Sequence, residues 1–525
     1  SSWMQYDNRY EYQGGNPLLR SAKIHSIDLT AVATRDRKKY EMIETTGSNF
    51  AANGNTTLGI NGLHKATVQK VNMDNNQRSN IGYLGRASYS YDDRYFFTGS
   101  YRRDGASVFG VNQKWGDFFA FGGAWRLSSE KFMSSISYLD DLKLKVSWGK
   151  NGNQGLDPYG TLSTINNGAS GGVRYEFGGS DIIYGLNQKA LGNADLGWET
   201  TESWNTGFES AWLGSRLFVD LDLYFSKTTD QIFTRDIPVM TGFKNMKSSM
   251  GQVNNRGVEL TIRSVNINTQ DWYWTTNLTF WLNRNKLVHL YGEDLNGDGK
   301  EDDDISNSRF IGKPLGAIYG YQQDGIVQET DIEYMKANGA TPGIPKYKDM
   351  DNDGVITSAD RVILGYSTPN FKLNMSNTIT YKNWDLYFML TGTFGGGGYY
   401  QKSNKGAYLT NGSGRFNTNG IYIPWWTPEN KSNEYPAATF NDDGGRFLGL
   451  QNRAFVRLQD VTLSYTFREP WVQKVNIQNL KVFFTAKNLF TITKWLGGDP
   501  EVGVTVSENT YPVLTSFSLG ANISF

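Results

Sequence analysis

The clearest pattern in the chain is a two-residue alternation of apolar and polar side chains that runs to the last residue. In the final ten residues the odd positions are apolar and the even positions are polar or small; the apolar ones are Phe517, Leu519, Ala521, Ile523 and Phe525. This period indicates a β-strand with one apolar face. About ten residues, tilted by about 45°, are also enough for a strand to cross a bilayer. The alternative is an edge strand of a soluble β-sandwich.

The same alternation recurs upstream and predicts about fourteen strands, the first around residues 24–34. Residues 1–22 carry no pattern that we can assign. In the segment 142–148, leucine and valine alternate with Lys143 and Lys145, which is typical of a strand between lipid and a water-filled lumen. A soluble antiparallel sheet with one wet face gives the same pattern, so the interpretation depends on repetition along the chain.

The connections between these segments alternate between short and long. The short ones are 92–93, 128–141, 213–215, 266–271, 382–383 and 468–478, and the long ones are 35–80, 104–117, 151–202, 227–256, 284–370, 395–453 and 490–515. Outer-membrane barrels have short periplasmic turns and long extracellular loops. We therefore predict an all-β fold over residues 1–525, a transmembrane antiparallel β-barrel whose longest extracellular loops are 284–370 and 395–453. The last strand should run inward and pair with 479–489.

Composition agrees with this prediction and excludes several functions. The 525 residues contain no cysteine, which rules out disulfides and thiolate metal sites, and the net charge of zero gives no footprint for nucleic acid. Tyr 30, Phe 29 and Trp 15 suit the aromatic girdles of a barrel. No apolar run reaches the roughly 18 residues of a transmembrane helix.

The sharpest local motif lies in the 284–370 loop and predicts a calcium site. Residues 349–360 fit the EF-hand-type template, in which oxygen ligands stand at positions one, three, five, seven, nine and twelve. The candidate ligands are Asp349, Asp351, Asp353, the carbonyl of Val355, Thr357 through water, and Asp360. Asp360 stands where a glutamate is usual, and this departure from the template does not favour bidentate closure. The alternative is an acidic turn without an ion. The run 294–304 is also acidic, but it lacks a carboxylate at position twelve and we interpret it as a solvated turn.

The 395–453 loop carries exposed-type aromatic residues that could stack on a sugar ring or pack against a partner. They are Tyr399, Tyr400, Tyr422, Trp425 and Trp426. Packing within the loops or at the membrane interface is an equally good interpretation. No enzyme is expected, because the three histidines lie far apart in the sequence and no nucleophile motif accompanies them.

Several stretches carry a family resemblance. They are YRRDGASVF (101–109), AWRLSSEKF (124–132), LKLKVSWGKNGNQ (142–154), NADLGWET (193–200), GQVNNRGVEL (251–260), PLGAIYGYQQDG (314–325), 347–360, WWTPEN (425–430), 488–491 and GDPE (498–501). In this order they resemble the C-terminal half of the SusC/RagA family of TonB-dependent transporters from the outer membrane of Bacteroidota.

The resemblance implies a barrel of about 22 strands that imports an oligosaccharide or a peptide. It also implies a SusD-like surface lipoprotein as partner, energy from TonB-ExbB-ExbD through a plug, and contact with membrane lipid and lipopolysaccharide. The plug domain and TonB box are not in this sequence, so we expect the sequence to be part of a longer transporter. A passive porin or structural barrel, and a barrel-borne hydrolase, are the competing functions.

Overall fold

The computed structural model describes residues 2–14, 24–50, 59–166, 174–176, 182–185, 187–243, 245–399, 424–438, 440, 450–468, 471–472, 477–495, 499–501 and 513–525. For 2–14, 174–176 and a few other strand residues the description covers the backbone only. Within these residues no helix is long and apolar enough to cross a membrane.

One 15-stranded sheet dominates the structure, and its strands stand side by side in the order of the chain. The strands are β1 Ser2–Gly14, β2 His25–Ser48, β3 Val68–Tyr91, β4 Tyr95–Ala106, β5 Trp115–Arg126, β6 Leu139–Asn153, β7 Glu199–Trp212, β8 Leu217–Asp236, β9 Asn245–Asn268, β10 Trp272–His289, β11 Phe371–Tyr381, β12 Trp384–Phe394, β13 Phe455–Phe467, β14 Asn479–Thr493 and β15 Ser516–Ser524. Every neighbouring pair is antiparallel.

The final strand lies where the alternation predicts. β15 pairs with β14, with Leu519 opposite Phe484 and Ile523 opposite Leu480, so the two apolar faces coincide. The outward side chains are well exposed, as Leu519 shows with 77% of its surface accessible. The predicted strands are confirmed, and the sheet adds β1 in the segment whose pattern could not be assigned.

The prediction of loops at 35–80 and 227–256 is wrong over most of their length. β2 and β3 are 24 residues each and continue their pairing to Ser48 and Val68, and β8 and β9 extend to Asp236 and Asn245. The outward side chains of β2 change from apolar to charged at Arg35. Beyond the lipid a strand needs no apolar face, so a search for alternating hydrophobicity finds only the part of each strand that lies in the membrane.

Aromatic side chains gather where the sheet meets its short turns. Ring pairs at this end are Tyr95–Trp125 (6.2 Å between centroids), Tyr138–Trp212 (5.9 Å), Trp272–Tyr381 (4.4 Å) and Trp384–Tyr465 (4.9 Å). Each member of these pairs adjoins one of the short connections. This is the arrangement of an interfacial aromatic girdle, and it places the short turns on one side of the membrane.

The connections between the strands, mostly the long ones, carry the remaining elements. They include the short strands Thr164–Asn166, Arg174–Glu176, Ile182–Tyr184, Asn187–Ala190, Ala317–Tyr321, Gln323–Ile326, Pro345–Tyr347, Arg361–Tyr366, Gly397–Tyr399 and Leu450–Asn452, and the helix Ile332–Asn338. The 3₁₀ turns are Gly59–Lys65, Leu127–Ser129, Lys131–Met133, Val239–Thr241, Ile305–Asn307 and Ser358–Asp360. The segment from β10 to β11 thus folds into a small module on the long-loop side.

Candidate functional site

The acidic loop 349–360 sits inside the module between β10 and β11. Strand Pro345–Tyr347 precedes it, and the 3₁₀ turn Ser358–Asp360 leads into strand Arg361–Tyr366. Gly354 adopts φ +85°, a left-handed conformation that glycine reaches without a steric cost. The sharp turn of the calcium-loop template is therefore present.

Three of the predicted ligands converge in this loop. One carboxylate oxygen from each of Asp349, Asp351 and Asp353 lies within 4.8 Å of the others. Asp349 organises the turn, because its two oxygens accept hydrogen bonds from the backbone N–H groups of Asn352 (2.6 Å) and Gly354 (2.7 Å). Hard cations such as calcium take oxygen ligands at such convergent positions.

Asp360, the predicted ligand at position twelve, lies apart from this group. Asp360 is fully buried, and its oxygens accept the N–H groups of Met350 and Thr357, both at 2.7 Å. Thr357 Oγ1 accepts from the N–H of Ala359 (3.2 Å). The N–H of Val355 donates to Asp353 Oδ1 (2.7 Å). The position-twelve carboxylate thus closes the loop through the backbone, and it lies outside the converging group.

Charge in the loop is distributed unevenly. Partial desolvation and the negative charges of Asp353 and Asp360 raise the pKa of Asp351 above its ordinary value. The N–H groups of Thr357 and Met350 lower the pKa of Asp360. The converging carboxylates therefore repel one another in the absence of a cation, whereas Asp360 is stabilised by the backbone alone. An exposed donor set made only of oxygens fits calcium and gives no support to a softer metal.

The aromatic residues of the 395–453 loop take two kinds of position. Trp426 is 8% exposed, and its indole Nε1 donates to Gln328 Oε1 (2.9 Å), so its ring packs between two loops. Trp425 is half-buried beside it. Tyr399 is described by its backbone only, in strand Gly397–Tyr399, and Tyr400 and Tyr422 lie outside the described residues.

The segment around Trp426 joins the two longest loops. The N–H of Ile326 donates to Asn433 Oδ1 (3.0 Å), and the N–H of Ala437 donates to the carbonyl of Gly343 (2.7 Å). Gly343 has φ +88°, and a Cβ there would lie 2.6 Å from the Trp426 ring. Close approach therefore requires glycine at this position, and the two loops behave as one packed unit.

The second acidic turn, 294–304, is attached to the end of the barrel. Glu301 Oε1 accepts the N–H groups of Leu290 (2.6 Å) and Gly292 (2.8 Å). Burial alone would raise the pKa of Glu301, but these donors and His289 outweigh it and hold the pKa below its ordinary value. Tyr291 donates its hydroxyl to Asp304 (3.0 Å), and burial together with that negative charge raises the pKa of Tyr291 to about 12.

Two ionic clusters were not predicted from the sequence. On the lumen side Lys145 lies 2.9 Å from Asp220, 2.9 Å from Asp222 and 3.4 Å from Glu209. Alternation placed the lysine on that face, but only the register of three strands brings the carboxylates to it.

Arg457 of β13 holds the segment that contains GDPE. Its guanidinium lies 2.6 Å from Asp499 and 2.9 Å from Glu501, and both Arg457 and Asp499 are buried. The GDPE stretch was recognised in the sequence because it belongs to the family resemblance. No sequence spacing, however, predicts its contact with an arginine some forty residues earlier. The cluster fixes the start of the last long connection against the barrel wall.

The lumen side of the sheet is lined by small and polar groups. A depression of about 460 Å³ there includes Ser100, Ser147, Gly149, Asn205 and Arg86. These residues alternate with the apolar ones that face outward, as expected for a barrel that encloses water. The fold and this wall define an outer-membrane β-barrel with a hydrophilic interior.

Residues 2–489 match the family described as TonB dependent receptor-like, beta-barrel, and the chain belongs to this family. Among curated proteins, it is 30% identical to the TonB-dependent receptor SusC of Bacteroides thetaiotaomicron over 478 residues, which cover 88% of this chain and 45% of that protein. It is 29% identical to TonB-dependent receptor P3 of Formosa agariphila over 469 residues, 86% of this chain and 46% of that receptor. The resemblance to the SusC/RagA family and the outer-membrane location are confirmed.

Solved structures agree on the fold. The chain superimposes on the structure described as the RagAB peptide transporter with a TM-score of 0.76 and 22% identity, and the match covers all of this chain and 55% of that one. The open state of the same importer gives a TM-score of 0.75 at 22% identity, over 100% of this chain and 54% of the other. The chain spans about half the length of the curated relatives it matches.

Proposed function

We propose that the chain is barrel wall and extracellular loops of a transporter that imports a large nutrient, an oligosaccharide or a peptide, across the outer membrane. Energy would come from TonB, and a SusD-like surface lipoprotein would act with the long loops. The observation that carries this proposal is the family match over residues 2–489. The polar lumen wall and the packed loops on one side support it.

The proposal is tested by uptake in the native host. Cells that carry the gene should accumulate a labelled oligosaccharide or peptide mixture, and a proton uncoupler or loss of TonB should abolish the accumulation. Uptake that is indifferent to the uncoupler would identify a passive porin instead. Hydrolysis of the labelled solute by the purified barrel protein would favour the enzyme alternative.

The partner is tested separately. Under mild detergent the barrel protein should co-purify with a surface lipoprotein, and deletion of residues 424–438 should release it, because that segment joins the two longest loops. A lipoprotein that remains bound to the deletion variant would place the contact elsewhere.

We also propose that the 349–360 loop binds one calcium ion, which would stiffen the module. The convergence of Asp349, Asp351 and Asp353 supports this. Affinity should be modest, with a dissociation constant of about 10⁻⁴ to 10⁻³ M, as in extracellular modules. The test is the resistance of the loop to protease with and without calcium. If the double variant Asp351→Asn, Asp353→Asn keeps a calcium-dependent resistance, the site is wrong.

A further inference from the structure

A second cavity lies on the long-loop side, away from the acidic loop. It measures about 450 Å³ and is bounded by the middle of β3, just beyond its last pair with β4, by the connection from β4 to β5 and by the segment after β6. Its lining includes Val108, Phe109, Leu162, Gln77 and Lys114. We propose that this cavity is a subsite for the C-terminal residue of a peptide, with an apolar side chain against its walls and the carboxylate beside Lys114. The inference rests on the proposed transport function and names its substrate class.

Part of the cavity lining belongs to a buried core. Val108 and Phe109 are each 2% exposed and belong to a core with Leu156 and Leu196. The ring of Phe109 lies 4.8 Å from that of Trp198, between centroids. The apolar surface that a ligand would meet belongs to Val111, Leu162 and Tyr159, which are 81%, 57% and 49% exposed beside this core.

The lining of the cavity contains one charged side chain. Lys114 is the charged residue of its lining, and within the described part of the chain its ammonium group makes no ion pair. The nearby Arg103, by contrast, is 3.6 Å from Asp117. The backbone of Lys114 is fixed, because its carbonyl accepts the N–H of Ala106 (2.9 Å) and the indole N–H of Trp198 (3.2 Å). An anionic group beside an apolar one would complement this arrangement.

The rim of the cavity contains a strained residue. Tyr159 has φ +64°, a left-handed conformation that is unfavourable for a bulky side chain. Two backbone bonds hold the turn, from Gly160 to Asp157 O (3.0 Å) and from Leu162 to Tyr159 O (2.9 Å). Strain of this kind persists where the surrounding structure enforces it, and it is concentrated at ligand sites.

The lining favours a peptide over an oligosaccharide. Sugar hydroxyl groups require several acceptors, because a buried polar group without a partner costs free energy. The lining holds no aspartate or glutamate; its neutral acceptors are Gln77, Ser79, Ser107 and Thr161, and ring hydroxyls beyond their reach would face Val108, Phe109, Val111 and Leu162. An aliphatic or aromatic terminal side chain has no hydrogen bond to lose, so it can pack against the same walls without this cost in free energy.

The test measures binding by the purified full-length receptor in detergent. The probes are a neutral tetrapeptide that ends in leucine, its C-terminal amide, and an oligosaccharide of uronic acids. The free acid should bind about tenfold more tightly than the amide, the size expected of a charge-assisted hydrogen bond. Lys114→Gln should remove this difference, and Val111→Glu should reverse its sign, because it adds a like charge at an exposed position of the lining. Lys336→Gln, an exposed lysine outside the cavity, is the matched control and should behave as the wild type.

Two results would overturn the proposal. One is an equal affinity of wild type and Lys114→Gln for the free acid, which includes absence of binding by both. The other is a uronic oligosaccharide whose binding falls in Lys114→Gln while the peptide does not bind. Because binding in detergent needs no TonB, loss of energised uptake with peptide binding intact would refute the transport proposal alone. If Lys114→Gln leaves the affinity for the peptide unchanged while energised uptake is intact, the subsite alone would be refuted.

Discussion

The segment between β10 and β11 contains two acidic turns that start alike and end differently. Asp294 and Asp349 each accept the N–H groups of the third and fifth residues that follow, at 2.7 and 2.9 Å in the first turn and at 2.6 and 2.7 Å in the second. Asp298 and Asp353, at position five of each turn, accept the N–H two residues on. The shared sequence pattern therefore produces the same backbone turn twice.

The two turns differ in how they close. In the second, Asp360 at position twelve is fully buried and binds two backbone N–H groups. In the first, Asp302 at position nine is half-buried and accepts one, from Leu295 (2.6 Å). The first turn has Asn296 where the second has Asp351, so it lacks the third converging carboxylate. A turn can thus share the fold of a cation loop without its charge, and closure and charge decide what the turn can bind.

Their surroundings differ as well. The first turn is held to the barrel end by Glu301, whereas the second belongs to a module with its own core of Tyr321, Tyr347 and Ile356. Trp426 locks that module to the neighbouring loop. The largest expected effect therefore comes from Trp426→Ala, which should destabilise the module by about 3–5 kcal/mol, as for a buried tryptophan. Hydrogen exchange of the amides of 345–361 should report it.

In the same variant the amides at 290–292 should keep their protection, because Glu301 holds them independently of Trp426. Trp425→Ala, at the half-buried neighbour, is the control and should cost less. If Trp426→Ala loosens both acidic turns equally, the two are not separate units.

The next largest effect should come from removing the carboxylate that closes each turn. Asp360→Ala leaves the N–H groups of Met350 and Thr357 without acceptors, so these amides should lose about tenfold or more in exchange protection. Asp302→Ala removes one acceptor at a less buried site and should cost its turn less. Equal losses in the two turns would mean that burial of the closing carboxylate does not matter.

Calcium separates the turns by charge. Titration of the purified protein should show one ion bound, and the variant Asp351→Asn, Asp353→Asn should lose it. The matched variant Asp294→Asn, Asp298→Asn should keep the stoichiometry and the affinity. A second ion that disappears with the latter variant would show that the first turn binds calcium too.

The smallest expected effect is a pH dependence of the first turn. Because the folded pKa of Glu301 is lowered, its contribution to stability is complete above the unfolded value of about 4.3 and is lost as the pH falls through the folded pKa. The protection factors of the Leu290 and Gly292 amides, relative to the intrinsic exchange rate at each pH, should therefore fall as the pH drops below the unfolded value of about 4.3. Glu301→Gln should remove this pH dependence, and a persistent one would have to come from another carboxylate.

The sequence predicted those parts of the structure that depend on residues close together along the chain. Alternation found the strands of the membrane band, and the Asp-Gly template found the turn at 349–354, because both are set by neighbours along the chain. It failed for the upper halves of β2 and β3, where both faces of the strand are polar. It could not find the contact of Trp426 with Gln328 or that of Arg457 with Asp499, since these depend on which distant segments the register brings together. The calcium ligands and the exposed aromatics remain predictions.

The length of β2 and β3 sets the height of the barrel wall above the membrane. At about 3.3 Å per residue and a tilt of about 45°, a 24-residue strand rises about 55 Å, of which the apolar band takes about 25 Å. The wall would then stand about 30 Å above the hydrocarbon, as a rim that overtops the headgroups of the outer leaflet. The mouth of the lumen then lies above the lipid headgroups, so that a molecule in solution reaches it without first contacting the bilayer.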